Sequence, residues 1–333
     1  MKSLARRMTP ILDILLVFFV FPAAWLLKGI RSLGVHKMPL CKSALLHVGV
    51  FPIRDHYYEP QFDNRNPKSP LSQDRKLPGI DWNTSGQLQL LSRMRYAQEL
   101  GDGLNTERGK LEFHLENGRF EEGDAEYWYQ LIRTIKPQRI FEIGSGNSTL
   151  MALKAIRNNH KEDSRYKCQL VCIEPYEMPW LEEAGVEVIR KKVEDIDLSY
   201  FAALVENDIL FIDSSHIIRP AGDVLFEYLA LLPTLNHGVI VHVHDIFSPK
   251  NYPKKWIEEM VRFWNEQYLL EAFLTHNSEW TVLGSLNYLR HNYFDELKTA
   301  TPFLTRESEP GSFYMQKRRV TAERANGFDH RSR

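Results

Sequence analysis

The pattern of apolar and polar positions divides this chain into three regions. Residues 11–27 form an apolar run, ILDILLVFFVFPAAWLL, in which Asp13 is the single charged residue. Residues 59–87 hold four prolines among many polar residues, a composition typical of loops. From about residue 139 onward, short apolar runs alternate with stretches whose apolar residues recur at helical spacing. This third region therefore predicts strands and helices in alternation.

The short apolar runs predict strands at residues 139–143, 169–174, 186–191, 208–213, 238–245, 280–286 and 311–318, the last as an edge strand. Helical spacing predicts helices at residues 87–100, 124–135, 148–159, 180–185, 199–206, 222–232 and 253–274. Asp124 is placed to cap the helix that it begins. Such alternation predicts an α/β fold, a Rossmann-like sheet of mainly parallel strands with helices on both faces.

The apolar run predicts attachment to a membrane. A helix needs about 20 apolar residues to cross a bilayer, and basic residues flank this run on both sides. Pro22 should kink it. We expect residues 1–40 to form a membrane-associated segment, as a span or as a kinked helix that re-enters. The alternatives are a core helix of a soluble domain and a cleaved signal peptide.

Composition narrows the classes of function. The 333 residues include 42 Lys and Arg against 43 Asp and Glu, a net charge of −1. That balance excludes a nucleic-acid binder that relies on global positive charge, although residues 319–333 form a basic tail that we expect to be disordered. Three cysteines can form neither a disulfide framework nor a paired zinc site, which indicates a reducing compartment.

Chemistry-bearing residues follow several of the predicted strands, at the edge where ligands of such sheets bind. The segments are Glu142-Ile143-Gly144-Ser145-Gly146-Asn147-Ser148-Thr149, Glu174-Pro175, Lys192-Val193-Glu194-Asp195, Asp213-Ser214-Ser215-His216 and His242-Val243-His244-Asp245. Glycines in the first segment let a backbone approach a ligand closely, but Thr149 stands where a dinucleotide fingerprint needs glycine, so NAD fits badly. Glu174 is placed to accept hydrogen bonds from ribose hydroxyls.

FEIGSGNST, CIEP and DILFIDSSH, in this order and spacing, resemble the class I S-adenosylmethionine-dependent methyltransferases over residues 121–318. Among them, the bacterial O-methyltransferases of saccharide and envelope pathways with an Asp-x-Ser-His motif are the most similar subgroup. The resemblance implies S-adenosylmethionine as cofactor. It assigns Glu142, Gly144, Ser145, Gly146 and Ser148 to its methionine part, Glu174 to the ribose, and Glu194 or Asp195 to the adenine, with Asp213 nearby. Ser148 replaces the family's third glycine.

Transfer to a hydroxyl requires a base that removes the hydroxyl proton. With an ordinary pKa of about 6.5 for histidine, His216 suits this role, with Asp213 orienting it or binding a metal. His244 is a further catalytic candidate, and it shares a strand face with His242. In metal-dependent catechol-type O-methyltransferases, magnesium is held by two acids that Asp213 and Asp245 match in place, with His244 beside them. A metal-free cluster of His and Asp is the alternative.

Residues 41–120 are predicted to form an N-terminal extension, interpreted either as a substrate lid or as an ordinary loop region. The substrate candidates are Arg54, His56, Tyr57, Tyr58 and Arg219. Trp256, Phe263, Trp264 and Tyr268 recur at helical spacing, which favours core packing over a platform for a sugar. Arg219 and Lys250 are expected to be solvated charges more often than ligands of an acidic group.

The resemblance implies a saccharide or lipid-linked glycan as acceptor, and His216 with Asp213 favours transfer to oxygen. The apolar run predicts that this occurs at a membrane, and the intracellular cofactor predicts the cytoplasmic face. The balanced charge argues against a nucleic-acid partner. One rival is methylation of a lipid, quinone or other small aromatic acceptor. The other is a non-catalytic scaffold that keeps the cofactor fold. The sequence leaves the oligomeric state open.

Overall fold

In a computed structural model, the chain divides into two units, Met1–Ser69 and Pro70–Arg333. The structure describes residues 2–56, 58–60, 70–101, 104 and 109–318, with the backbone alone at residues 2–8. The predicted basic tail and Tyr57 lie outside the described residues. The predicted boundaries after residues 40 and 120 remain predictions.

The first unit contains two helices, α1 (Lys2–Leu33) and α2 (Pro39–Val48), joined through a 3₁₀ turn at Val35–Lys37. Helix α1 continues through both of its prolines. Within it, Thr9–Leu33 has the length and the hydropathy of a membrane span, although a signal sequence shares these features. Its large apolar side chains are exposed, Phe19 to 74%. An exposed apolar surface of this size is typical of a region that contacts a membrane or another protein. Membrane attachment remains a prediction.

The second unit is built on one seven-stranded sheet of order β3-β2-β1-β4-β5-β7-β6. The strands are β1 (Arg139–Ile143), β2 (Gln169–Ile173), β3 (Glu187–Ile189), β4 (Ile209–Ile212), β5 (Ile240–Val243), β6 (Trp280–Ser285) and β7 (Phe313–Lys317). Strands β1 to β5 pair in parallel, and β7 pairs antiparallel with both β5 and β6. This confirms the predicted Rossmann-like α/β sheet.

The last strand is not the edge strand that the sequence predicted. Strand β7 lies between β5 and β6, and β6 is at the edge. The physical reason is visible in their burial. Four of the five β7 residues are buried, whereas buried and half-buried residues alternate along most of β6. A strand with one half-exposed face suits an edge, and a continuously buried strand needs neighbours on both sides.

The helices of the second unit pack on both faces of the sheet. They are α3 (Thr84–Arg93), α4 (Asp124–Ile135), α5 (Asn147–Glu162), α6 (Leu198–Phe201), α7 (Asp223–Phe226), α8 (Leu232–Thr234), α9 (Glu266–Leu274), α10 (Leu286–Asn292) and α11 (Phe294–Ala300). A π-helical turn at Glu227–Leu231 joins α7 to α8, and another spans Lys255–Glu259. Short 3₁₀ turns lie at Ala97–Glu99, Leu181–Ala184 and Val193–Asp195. Each sheet face carries its own apolar core.

The helix expected at residues 199–206 is reduced to the short α6, Leu198–Phe201, and two longer predicted helices are also wrong in extent. The helix expected at residues 87–100 ends at Arg93, because Met94 is extended and the Tyr96 amide donates to the side chain of Gln130 instead. The helix expected at residues 253–274 is interrupted after the π turn, where Val261 has a left-handed φ of 52°. Tertiary contacts override helical spacing in both places.

Asp124 does not cap α4 as the sequence predicted. Gly123 occupies the cap, and its amide donates to Glu126 over 2.9 Å. The Asp124 carboxylate accepts from the amides of Gly311 and Ser312 instead, over 3.0 and 2.7 Å. The acid therefore ties the start of α4 to the segment that enters β7.

Candidate active site

A cavity of about 730 Å³ opens at the carboxyl ends of the parallel strands. Its walls come from the segments that follow β1, β2, β3, β4 and β5, and from the stretch after the π turn at Lys255–Glu259. The predicted site residues that line it are Gly144, Ser145, Glu174, Glu194, Asp213, His216, Arg219, His244 and Asp245. The strand ends thus bring together most of the residues that the sequence picked out.

The loop after β1 interlocks with the end of β4. Gly144 has a φ of 75°, and a β-carbon built on it would lie 2.0 Å from the carbonyl oxygen of Asp213. The Gly144 amide donates to Ile173, and the Asp213 amide donates to Ile143. Glycine is needed at 144 for both its conformation and this close backbone approach.

Glu174 stands at the end of β2 with its carboxylate turned toward neighbouring amides. One oxygen accepts from Tyr176 and Glu177 over 3.0 and 2.9 Å, and the other lies 3.4 Å from the amide of Ser145. The side chain of Glu174 is 9% exposed. Two loops therefore position this acid at the cavity wall, as the hydrogen bonding of a ribose would require.

Glu142, Gly146 and Ser148 were expected at the cofactor, but they do not line the cavity. Glu142 is fully buried on the other side of β1, where it accepts from the hydroxyl of Thr149. Burial raises the pKa of Glu142 to about 7, against the effect of that hydrogen bond. Alternate strand residues point to opposite faces, and this places Glu142 beneath the loop rather than at its surface. The contact of Glu142 with the methionine part of a cofactor remains a prediction.

His216 is the centre of an acidic cluster at the cavity edge. Its Nε2 lies 3.1 Å from Asp213 Oδ1 and 3.6 Å from Asp245 Oδ2. Its Nδ1 lies 2.8 Å from Glu266 Oε2, and Tyr228 donates to the other oxygen of Glu266 over 2.9 Å. His216 and Asp245 both have a left-handed φ of 60°. Strained backbone of this kind is concentrated at functional sites.

The charges in this cluster set its protonation. Burial alone would lower the pKa of His216, but hydrogen bonds to Asp213 and Glu266 raise it well above 6.5. Burial would likewise raise the pKa of Asp213, but the charges of His244 and His216 hold it well below its usual range. Burial raises the pKa of Asp245 despite both histidines. The cluster therefore holds an imidazolium and an ionised Asp213 side by side.

His242 in β5 and His244 just after it lie on the same face of the sheet, with ring centroids 6.3 Å apart, but have different surroundings. His244 lies 3.5 Å from Asp213 and 3.7 Å from Asp245 through Nδ1, and 3.7 Å from Asp124 through Nε2. His242 is fully buried against Tyr314, with ring centroids 4.1 Å apart. Burial lowers the pKa of His242 well below 6.5. His242 is therefore a neutral core residue, and His244 faces the cavity.

The geometry brings a different set of metal-ligating atoms together than the sequence predicted. Asp213, His216 and Asp245 offer one ligand atom each within 4.8 Å of one another, whereas the prediction placed His244 in the third position. One imidazole and two carboxylates suit a transition metal better than magnesium, which prefers oxygen ligands throughout. The hydrogen bond between His216 and Asp213 already satisfies two of these groups without a metal.

The predicted substrate residues belong to both units of the chain. Arg219 lines the cavity and lies 3.6 Å from Asp223. Lys250 bonds to Asp74 and to the carbonyl of Ser72 instead of facing the cavity. In the first unit, Arg54 lies 3.4 Å from Glu59, and the ring of His56 packs near that of Tyr58. The role of these first-unit residues in a lid remains a prediction.

Sequence reasoning missed four residues that the structure places at this site. Glu266 contacts His216, and Trp256, Arg262 and Trp264 line the cavity. Trp256 and Trp264 pack against the small core of Phe247, Tyr252 and Ile257, as predicted, and also line the cavity. Core packing is wrong for Phe263 and Tyr268, which are exposed. The helical spacing concealed the break at residues 260–265, which contains Arg262 and Trp264.

Comparison with known proteins finds a similarity to methyltransferase domains. Residues 141–246, from β1 to the residue after Asp245, match the family model described as a methyltransferase domain. An uncharacterized protein of Archaeoglobus fulgidus is 34% identical over 143 residues, which are 41% of this chain and 63% of that protein. The chain thus spans under two thirds of the length of this relative.

A solved structure gives a more distant likeness. The crystal structure of the plantazolicin methyltransferase BpumL, in complex with a triazolic desmethylPZN analog and SAH, has a TM-score of 0.35 and 12% identity. The match covers 72% of this chain and 100% of that one. Similarity at this level supports no inference on its own. The family match covers residues 141–246, and the sheet around them is Rossmann-like, so this region is similar to a methyltransferase domain.

Proposed function

We propose that this protein transfers a methyl group from S-adenosylmethionine to a hydroxyl oxygen of its acceptor, with His216 as the general base. The observation that carries the proposal is the position of His216. It stands at the cavity edge between Asp213, Asp245 and Glu266, within hydrogen-bonding distance of two of them. A histidine oriented by carboxylates at a strand end is the arrangement that proton removal from a hydroxyl requires.

The residues at the first two strand ends fit the cofactor. The cradle beside Gly144 has no room for a side chain, and Glu174 is held by loop amides at the cavity wall. Gly144 and Ser145 would hold the methionine part, Glu174 the ribose, and Glu194 the adenine end. When bound, the cofactor supplies an electrophilic methyl group on a positively charged sulfonium.

The remaining residues position and activate the acceptor. Asp213 and Glu266 fix the ring of His216 from opposite nitrogens, so that the imidazole has one orientation. His216 must first lose its proton, since its pKa is raised well above 6.5. The positive charge of a bound sulfonium would favour this loss, because it lowers the pKa of His216 by electrostatic repulsion. The acceptor hydroxyl then takes the place of Asp213 at Nε2, which accepts its proton, while Glu266 at Nδ1 and the nearby charge of Asp213 stabilise the imidazolium that forms.

The acceptor that we propose is a saccharide or a lipid-linked glycan, reached at the cytoplasmic face of a membrane. Two indoles, Trp256 and Trp264, line the cavity. Arg262 already covers part of each indole, so the saccharide acceptor rests on the subgroup resemblance rather than on stacking. The span-like helix at Thr9–Leu33 supports the membrane location, and the intracellular cofactor supports the cytoplasmic side. A lipid or quinone acceptor is the rival that the same helix would also suit.

The test is turnover by the full chain in detergent with radiolabelled S-adenosylmethionine. Glycans, lipid-linked glycans, phospholipids and quinones serve as acceptors in parallel. We expect label in a glycan fraction, on oxygen. Label in lipids or quinones alone would support the rival, and absence of label despite cofactor binding would support a scaffold.

Cofactor binding is measured separately by titrating S-adenosylhomocysteine into the same preparation. We expect Glu174→Gln to weaken it by about tenfold or more, because a charged acceptor is lost. Glu177→Gln is the matched control, since Glu177 lines the same cavity but pairs with Arg119 at 3.5 Å. Equal affinity in the Glu174 variant and the wild type would remove the cofactor assignment.

A further inference from the structure

Arg262 has an unusual environment at the wall of the cavity. Its guanidinium carbon lies 4.4 Å from the ring centroid of Trp256 and 4.2 Å from that of Trp264. The two indoles are nearly perpendicular, at 80°. Arg262 is therefore held in a corner between two aromatic rings, and we call these three residues the arginine corner.

The arginine corner leaves the hydrogen-bonding edge of Arg262 without an acidic partner. Among the residues that the structure describes, no carboxylate forms an ion pair with Arg262. Two other arginines of the cavity, Arg119 and Arg219, do face acids, Glu177 at 3.5 Å and Asp223 at 3.6 Å. Aromatic contacts occupy the faces of a guanidinium and leave its N–H groups free to bind an oxyanion as a fork.

The backbone holds the arginine corner in place. The amide of Arg262 donates to the carbonyl of Trp256 over 2.9 Å. Val261, just before it, has a φ of 52°, which is a genuine outlier for a β-branched residue. Farther along, the amides of Asn265 and Glu266 both donate to the carbonyl of His216, over 3.0 and 3.2 Å. A strained turn anchored at both ends is thus built around this arginine.

The arginine corner also adjoins the proposed base. The ring of His216 lies against the indole of Trp264, with centroids 4.2 Å apart. Trp264 therefore separates His216 from Arg262 by one aromatic ring. A group bound at Arg262 would leave a neighbouring hydroxyl of the same molecule within reach of His216.

Resting on the proposed function, we propose that Arg262 binds an oxyanion of the methyl acceptor, a phosphate or carboxylate, and so places the acceptor beside His216. The acceptor is then an anionic molecule rather than a neutral sugar. Two kinds of acceptor carry such an oxyanion, a soluble anionic molecule and a lipid with an anionic head group. Met260 and Val261 next to Arg262 are 47% and 53% exposed, which leaves apolar surface beside the anion position.

The experiment measures anion binding by the full chain in detergent, saturated with S-adenosylhomocysteine. The probes are inorganic phosphate, pyrophosphate, acetate and dihexanoyl phosphatidic acid, followed by calorimetry and tryptophan fluorescence. We expect Arg262→Gln to weaken binding of the preferred anion by about tenfold or more, since charge-assisted hydrogen bonds are lost. Arg262→Lys, which keeps the charge but not the fork, should fall between the two.

Arg306→Gln is the matched control. Arg306 also stacks on an aromatic ring, that of Phe294 at 4.3 Å, but it does not line the cavity. It should bind the anions as the wild type does. Tightest binding of phosphatidic acid would identify a lipid head group as the source, and tightest binding of pyrophosphate, phosphate or acetate a soluble anion.

Equal anion affinity in Arg262→Gln and wild type would overturn the inference, as would a wild type that binds none of the probes. Loss of S-adenosylhomocysteine affinity in Arg262→Gln would also overturn it, because Arg262 would then serve the cofactor. Failure of the proposed function looks different: the wild type itself would not bind S-adenosylhomocysteine.

Discussion

The carbonyl oxygen of Asp213 occupies the space that a side chain on Gly144 would need, 2.0 Å from the position of its β-carbon. The loop that we assign to the cofactor and the acid that we assign to catalysis are therefore in direct backbone contact. A shift of the backbone at Gly144 would therefore require a shift of the backbone at Asp213. The cofactor loop and the catalytic edge are positioned together by this single close approach.

We expect Gly144→Ala to abolish measurable binding of S-adenosylhomocysteine and to destabilise the domain, because the backbone of Asp213 must shift. Gly185→Ala is the control. Gly185 has the same φ of 75°, but nothing lies within 4 Å of its β-carbon position. It should lose roughly 1–2 kcal/mol from the left-handed conformation alone and keep its affinity. Calorimetry and thermal melting of both variants check this, and equal affinities in the two would contradict the interlock.

The sequence predicted the sheet well because β1 to β5 are short, mostly apolar and separated by turn residues. The carboxyl ends of parallel strands meet at one edge, so Asp213, His216, His244 and Asp245 could be expected together before any coordinates. The position of β7 could not be predicted, since insertion of an antiparallel strand between β5 and β6 leaves no periodic signal in the sequence.

The rest of the site depends on contacts between distant residues. Glu266 reaches His216 from fifty residues away, and the helical spacing of residues 253–274 gives no sign of the break at Val261. The resemblance assigned Glu142 to the cofactor, and the alternation of side chains along β1 buries it beneath the loop, a depth that the motif does not reveal.

Glu126 makes stability depend on pH. Burial raises the pKa of Glu126 to about 7, although the amides of Phe303 and Gly123 donate to it. The folded state therefore holds a proton that the unfolded state releases near pH 4.5. This contribution to stability is fully present below about pH 4.5 and is lost as the pH rises to about 7, by about 3 kcal/mol in total.

We expect Glu126→Gln, which cannot titrate, to lose this part of the pH dependence. Urea unfolding of the full chain in detergent, followed by fluorescence between pH 4.5 and 7, measures the slopes. The variant is expected to be less stable than the wild type at low pH and to converge toward it as pH rises. Parallel slopes in the two proteins would show that Glu126 is ionised throughout.

The helix at Thr9–Leu33 should hold the protein on a membrane. The full chain should remain with membranes after carbonate extraction. Leu15→Lys with Phe19→Lys places two charges one turn apart, each costing about 3 kcal/mol at the centre of a bilayer, and should release much of the protein. Leu40→Lys on α2 is the control and should have no effect, since Leu40 is already 85% exposed and lies outside the apolar run. A wild type that fractionates with the cytosol without detergent would end this prediction.

The rate of methyl transfer should depend on the protonation of His216. A general base typically contributes about 10²–10⁴ in rate, so His216→Ala should lose turnover by that factor while it still binds S-adenosylhomocysteine. Since the pKa of His216 is raised well above 6.5, the wild-type rate should still be rising at pH 6.5 and should level off only at higher pH. If His216→Ala retains more than about a tenth of the wild-type rate, His216 is not the general base.

Loss of activity in His216→Ala has a structural alternative, because the buried side chain of His216 also bonds to Glu266, the first residue of α9. Glu266→Gln separates the two. The amide keeps a hydrogen-bonding partner for Nδ1 but removes the negative charge that helps to raise the pKa of His216. If His216 is the base, the pH at which the rate rises should move downward in Glu266→Gln, with activity retained. A structural histidine would lower the rate at every pH without moving the profile.

The same assay with EDTA decides whether Asp213, His216 and Asp245 hold a metal. Inhibition that a divalent cation reverses would assign a metal to these three residues. An unchanged rate would leave His216 acting with Asp213 and Glu266 alone.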